Sequence, residues 1–171
     1  IGVYGVFISQ DLFFFFFFYE LAVVPMYLLI AVWGHSSEFV TFNRTKEYGA
    51  LKLMLVLVAS SILIWIGILS TFIVANQNSF LFKDLINANI GNDFQIFIFP
   101  FFFIGFGVLA GLWPFHTWSP DGHVAAPTSV SMVHAGILMK LGAYGILRCI
   151  EFLPAGAQEW MWLLLILGTI N

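Results

Sequence analysis

Two ionisable side chains lie inside long apolar stretches of this 171-residue sequence. Glu20 sits near the middle of Asp11 to Trp33, and Lys140 more than halfway along Pro127 to Leu147. A charge in the hydrocarbon of a bilayer is costly, so an ionisable residue there is a functional candidate by default. A carboxyl or an amine with little water around it can take up and release a proton as its surroundings change. One acid and one base in separate spans point to movement of an ion or a proton, not to anchoring. The structural alternatives are a hydrogen-bonded acid packed between helices for Glu20 and a snorkelling amine for Lys140. Snorkelling works best near a helix end, and Lys140 has apolar residues for at least a turn on both sides.

His134 lies six residues before Lys140. At about 100° per residue the two do not stack, yet both can border one cavity. Ser131 and Thr128 lie one and nearly two turns before His134 and could extend a polar file. A proton relay and a hydrogen-bonded structural histidine are both open for His134. His116 and His123 share the segment Pro114–Ala126 with Asp121. A metal site there lacks a tight ligand cluster and a supporting cysteine. The segment is expected to be a compact polar loop connecting helices, with His116 as a candidate proton entry point. The single Cys149 excludes an internal disulfide and a cysteine-only metal site, and reads as a small buried apolar residue.

Composition sets the medium that these groups occupy. The chain is 61% hydrophobic and 9% charged, whereas a soluble domain carries about 25% charged residues. Phe13 to Phe18 form an unbroken run within a total of 21 Phe, which no soluble core requires. The surroundings are expected to be a bilayer. The formal net charge of −3, with six Lys+Arg spread along the chain, gives no basic face for nucleic acid. No glycine-rich phosphate cradle, nucleophile motif or dinucleotide fingerprint is present.

The elements that must position the ionisable groups are membrane helices. The sequence predicts an all-α, polytopic transmembrane bundle of about four complete spans and two partial ones. The spans are 12–33, 48–75, 94–113, 127–147 and one from 159 onward, with Ile1–Ile8 as the tail of a preceding span. Asp11 can cap the first complete helix, and Pro25 is expected to kink it. Pro100 with Gly105, Gly107 and Gly111 makes the third span a candidate broken helix. Phe80, Leu81, Leu85 and Ile86 suggest a short helix lying on the surface in the link 76–93. Tyr48, Trp33, Trp113, Trp118 and Trp160 fall at span ends as an interfacial belt. Lys52 is expected to snorkel. Alternation puts 34–47 and 114–126 on one side, and Arg44, Lys46 and Lys52 against Lys83 and Arg148 favour that side as cytoplasmic. The chain begins Ile-Gly-Val without a basic leader and ends within or just after an apolar run at Asn171. It is expected to be an internal piece of a single larger membrane domain.

The segment GLWPFHTWSPDGHVAAPTSVSMVHAGILMKLGAYGILR, Gly111 to Arg148, and FFFFFFYELAVVPMYLLIAVWG, Phe13 to Gly34, carry a specific likeness. Together they resemble the antiporter-like membrane subunits of NADH:quinone oxidoreductase, respiratory complex I, of the subunit M or chain 4 type. The same superfamily includes subunits of cation/proton antiporters and of membrane-bound hydrogenases. The resemblance implies a larger helical fold, of which this piece covers the middle, and a translocase subunit with no redox site of its own. NADH, FMN, iron–sulfur clusters and quinone are then expected in other subunits. Neighbouring antiporter-like subunits and the lipid bilayer are the expected partners, in a bacterial plasma membrane or an equivalent energy-transducing membrane. By the same resemblance, Glu20, Lys140 and His134 would be proton-path residues. The family's lysine five residues before the Pro of PFHTW is Leu109 here, so Glu20 lacks that partner. The alternatives are an antiporter or hydrogenase subunit working with other partners, and an inactive scaffold that keeps the fold.

Overall fold

The computed structural model describes residues 1–38, 43–76 and 79–171. The predicted links 34–47 and 76–93 therefore lie partly outside the described residues, as do the side chains of Glu38 and Arg44. Helix α1 spans Gly2–Ile8 and α2 spans Leu12–Trp33. Asp11 accepts hydrogen bonds from the backbone N–H of Phe13 at 2.9 Å and Phe14 at 3.0 Å, filling donors that a helix start leaves open. At 22 residues, α2 is about 33 Å long, enough to cross the hydrocarbon. Pro25 lies inside it without ending it.

Two-residue strands Ser37–Glu38 and Asn43–Arg44 pair before α3, Lys46–Ala75. A short α4, Phe82–Asn87, follows. Its buried residues are Phe82 and Leu85, while Leu81 and Ile86 stay about half exposed. The inward face is thus rotated from the predicted one. Backbone hydrogen bonds from Leu12 to Phe80 and from Phe82 to Gln10 tie this link to the turn before α2.

Helix α5, Asn92–Ala110, runs unbroken through Pro100. Proline has no N–H to offer the carbonyl four residues back. That carbonyl, on Ile96, accepts instead from the indole N–H of Trp160 at 2.9 Å. The predicted break comes later. Gly111 adopts φ of +78°, its N–H reaching Val108 and that of Leu112 reaching Gly107, a Schellman stop.

The expected polar loop 114–126 is largely helical: a 3₁₀ turn at Phe115–Thr117 leads into α6, Trp118–Ala125. Polar composition suggested a loop, but Trp118, Ser119, Asp121 and Gly122 are buried. Here α5 and α6 form the two halves of one interrupted span. The next span is α7, Thr128–Val133, a π turn at His134–Leu138, and α8, Met139–Phe152. It continues past the predicted limit at residue 147. Helices α9, Pro154–Glu159, and α10, Met161–Ile170, complete the described chain.

Among the described residues, four helical stretches are long and apolar enough to cross a membrane: Leu12–Trp33, Lys46–Ala75, Asn92–Ala125 and Thr128–Phe152. The core lies where α3 and α5 pack together, with α2 and α8 against them. Phe102, Phe106, Ile64 and Ile68 are fully buried there. Side chains such as Phe17, Leu28, Leu55 and Ile73 face outward, as an apolar solvent permits. The amide of His35 bonds to Ala125 and that of Ala155 to the Gln95 side chain. The first contact joins the links 34–47 and 114–126, as alternation predicts, and the second joins the turn at Ala155 to the first turns of α5.

Candidate functional site

The α2–α3 contact positions the acid. Glu20 is half-buried on α2, on the side that faces Ser61 of α3. Tyr19 is buried, 1% exposed, and among the described residues its hydroxyl has no hydrogen-bond partner. Ser60 donates to the carbonyl of Leu57 and Ser61 to that of Val58, each at 2.8 Å. Phe16 and Phe106 flank Tyr19. Leu109 is fully buried on α5. Among the described residues, no lysine, arginine or histidine lies within ion-pair distance of Glu20.

The α6–α7 corner brings histidines together. The His134 ring, fully buried, lies between Trp118, with centroids 5.4 Å apart, and His123, 4.5 Å away. Trp118 is fixed by its indole N–H donating to the Val108 carbonyl at 3.0 Å. His123 Nδ1 and Ser131 Oγ share a 2.7 Å hydrogen bond. Among the described residues, neither ring nitrogen of His134 has a hydrogen-bond partner. Buried polar atoms in that state are sites for water. A groove of about 420 Å³, with His35, His123, Thr128 and Ser131 in its wall, opens beside the pair.

Lys140 lies on an exposed face of this chain, because α8 turns Leu141, Gly142, Gly145 and Cys149 inward toward α5. Its amine donates back to the Ala135 carbonyl in the π turn at 2.7 Å. Single π turns within α-helices often mark functional positions. Lys140 is near enough to His123 for their charges to interact. His116 sits on the 3₁₀ turn with a buried, unpartnered Nδ1. Among the described residues, no contact joins His116 to His123 or His134, nor Glu20 to His134 or Lys140.

Three placements were not legible beforehand. His123 joins His134 because the chain turns at Ala126–Pro127. Lys52 pairs with buried Asp121 at 2.6 Å instead of snorkelling, and so pins α6 to α3. Of the residues expected in an aromatic belt, Trp33, Tyr48 and Trp113 are exposed, whereas Trp118 and Trp160 bond inward. No group of three or more His, Cys, Asp or Glu among the described residues could hold a metal ion.

Fold and composition together define an integral membrane helix bundle. The family model described as NADH:quinone oxidoreductase/Mrp antiporter, TM, matches residues 9–171. The chain belongs to that family. It is 38% identical over 176 residues to NADH-quinone oxidoreductase subunit M of Pseudomonas aeruginosa, covering 99% of this chain and 34% of that protein. It is 37% identical over 172 residues to NAD(P)H-quinone oxidoreductase chain 4, chloroplastic, of Ipomoea purpurea, covering 99% of this chain and 33% of that protein. The chain thus spans about a third of the length of these curated relatives. Among solved structures, it superposes on a chain of respiratory complex I from Thermus thermophilus with a TM-score of 0.87 at 23% identity, covering 99% of this chain and 35% of that one. A chain of an archaeal membrane-bound sulfane sulfur reductase superposes with a TM-score of 0.83 at 20% identity, covering 99% and 34%. At these identities the superpositions show the shared fold.

Proposed function

We propose that the chain is part of a proton-translocating membrane subunit of NADH:quinone oxidoreductase, of the subunit M or chain 4 type. The observation that carries this reading is 38% identity to a subunit M across nearly the whole chain, with Glu20, His134 and Lys140 on its apolar helices. In this reading NADH, FMN, iron–sulfur clusters and quinone belong to other subunits, and electron transfer there shifts charge along the membrane arm. Glu20 takes up or releases a proton on α2. The His123–His134 stack and Lys140 pass protons through water along α6–α8, with His116 as an entry candidate. A stacked histidine pair suits this task, because a charge on one ring disfavours a charge on the other and keeps a proton moving. The setting is a bacterial plasma membrane or an equivalent energy-transducing membrane, with other antiporter-like subunits as neighbours.

The test is purification of the full protein with its partners, followed by reconstitution in vesicles. NADH-driven acidification that collapses in Lys140→Ala while the complex still assembles is the expected result. Unchanged pumping in that variant removes Lys140 from the path. A second reading, an antiporter or a subunit of another redox complex, is favoured by the family description and by the sulfane sulfur reductase likeness. Co-purification of flavin and iron–sulfur subunits separates the two.

A further inference from the structure

Ser9, Ser60, Ser61 and Thr169 donate to carbonyls three or four residues back along the chain, the usual habit of a helical hydroxyl. Ser131 does not. Its amide bonds the Pro127 carbonyl at 2.9 Å, but its hydroxyl leaves α7 and meets His123 Nδ1 at 2.7 Å. The corner between the helices makes this possible. A proline keeps the residue before it extended, and Ala126 and Pro127 have ψ of 145° and 149°. The chain turns out of α6 there, and Ser131, in the first turns of α7, comes back beside the last turn of α6.

The His123 ring is held on its face as well. It stacks on His134 at 4.5 Å with 22° between the planes. Trp118, tied to the Val108 carbonyl, backs His134. A face contact and one hydrogen bond at the edge together fix the plane of an imidazole and its rotation within that plane. Among the described residues His123 Nε2 makes no hydrogen bond. His123 and Ser131 share the groove wall with His35 and Thr128. The other ionisable groups that face His123 are His134 on the π turn and Lys140 on α8.

The two nitrogens of an imidazole are not equivalent, and the partner of one decides which carries the proton in the neutral ring. A hydroxyl oxygen has lone pairs to accept with and a proton that can turn to water in the groove. When Nδ1–H donates to Ser131 Oγ, the bond keeps the same donor and acceptor whether the ring is neutral or charged. It strengthens with the charge. Proton uptake and release then fall to Nε2, the nitrogen without a fixed partner.

We infer that Ser131 is the positioning residue of His123. Its hydroxyl accepts from Nδ1–H, holds the ring against His134 and leaves Nε2 as the nitrogen that exchanges protons with the groove. The exchange rests on the proton-translocating reading, whereas the place of the ring proton is measurable without it.

The test uses the full purified protein with its partners, its histidine ring nitrogens isotope-labelled, as wild type, Ser131→Ala and Ser131→Thr. The signals that His123→Gln removes from the solid-state NMR spectrum identify His123, and a bare ring nitrogen resonates far from an N–H one. In wild type the neutral ring should carry its proton on Nδ1. Ser131→Ala should move the ratio of the two neutral forms about fivefold toward Nε2–H, the factor that one net hydrogen bond supplies, and Ser131→Thr should return it. In vesicles, NADH-driven acidification should slow about fivefold in Ser131→Ala and recover in Ser131→Thr. A wild-type ring with its proton on Nε2, a ratio that Ser131→Ala leaves in place, or Ser131→Ala pumping at the wild-type rate overturns the assignment. A wild-type protein that does not pump but shows the shift in ratio keeps Ser131 as the partner of Nδ1 and discards the translocation reading.

Discussion

The α2–α3 pocket and the α6–α8 corner handle ionisable groups in opposite ways. On the α2–α3 side, Glu20 has no cation within ion-pair distance among the described residues, its neighbour Tyr19 is walled by Phe16 and Phe106, and α3 and α5 close over Ser60. Around His134 the partners are aromatic rings, a groove opens beside His123, and two ring nitrogens are left for water. In the proposed function the first region holds the acid, and the second brings two imidazoles together beside a groove.

The largest expected effect tests whether the two regions serve one path. Lys140→Ala and Glu20→Gln should each lower proton translocation about a hundredfold, in the range for loss of a positioned acid or base. Their combination should be no slower than the worse single variant, because residues acting as a unit are not additive. Fully additive losses would place them on separate routes and break the comparison.

Next comes the ion pair that ties the two regions together. Lys52→Met leaves the buried Asp121 without its 2.6 Å partner and should cost about 3 kcal/mol. The check is the midpoint of detergent-induced unfolding, with helix α6 loosening first in hydrogen exchange. An unchanged midpoint would mean that α6 is held by Trp118 and its packing alone.

A smaller effect probes α5. Trp160→Phe removes the donor to the Ile96 carbonyl that Pro100 leaves open, and should cost about 1.5 kcal/mol. In a Pro100→Ala background residue 100 regains its N–H, so the same change should cost less. Equal losses in both backgrounds would show that Trp160 contributes by packing and not by that bond.

Much of the fold was legible from residue types. Apolar length marks Leu12–Trp33 as a span, Asp11 marks where its helix starts, and Pro100 with Gly111 announces an interrupted helix. The position of the break was less legible. Proline was expected to disrupt α5, but an indole from 60 residues further along the chain satisfies the open carbonyl. The interruption falls instead where glycine takes a left-handed conformation. Likewise the stretch 114–126 reads as a loop by polarity, yet most of it is helical, with Asp121 paired to Lys52 and the Trp118 indole bonded to the Val108 carbonyl.

The types and spacing of residues sufficed for the medium. Glu20, His134 and Lys140 stand out because a bilayer makes each of them costly, and that cost is a property of composition. Packing alone settled which partner each one meets. The stack of His134 on His123 and the pairing of Lys52 with Asp121 arise between helices, and Lys140 turns back onto the Ala135 carbonyl through the π turn of its own span. Hydropathy reports how a residue compares with its neighbours in the chain. Partner choice depends on helix rotation and close approach, which follow from how α2, α3, α5 and α8 fit against one another.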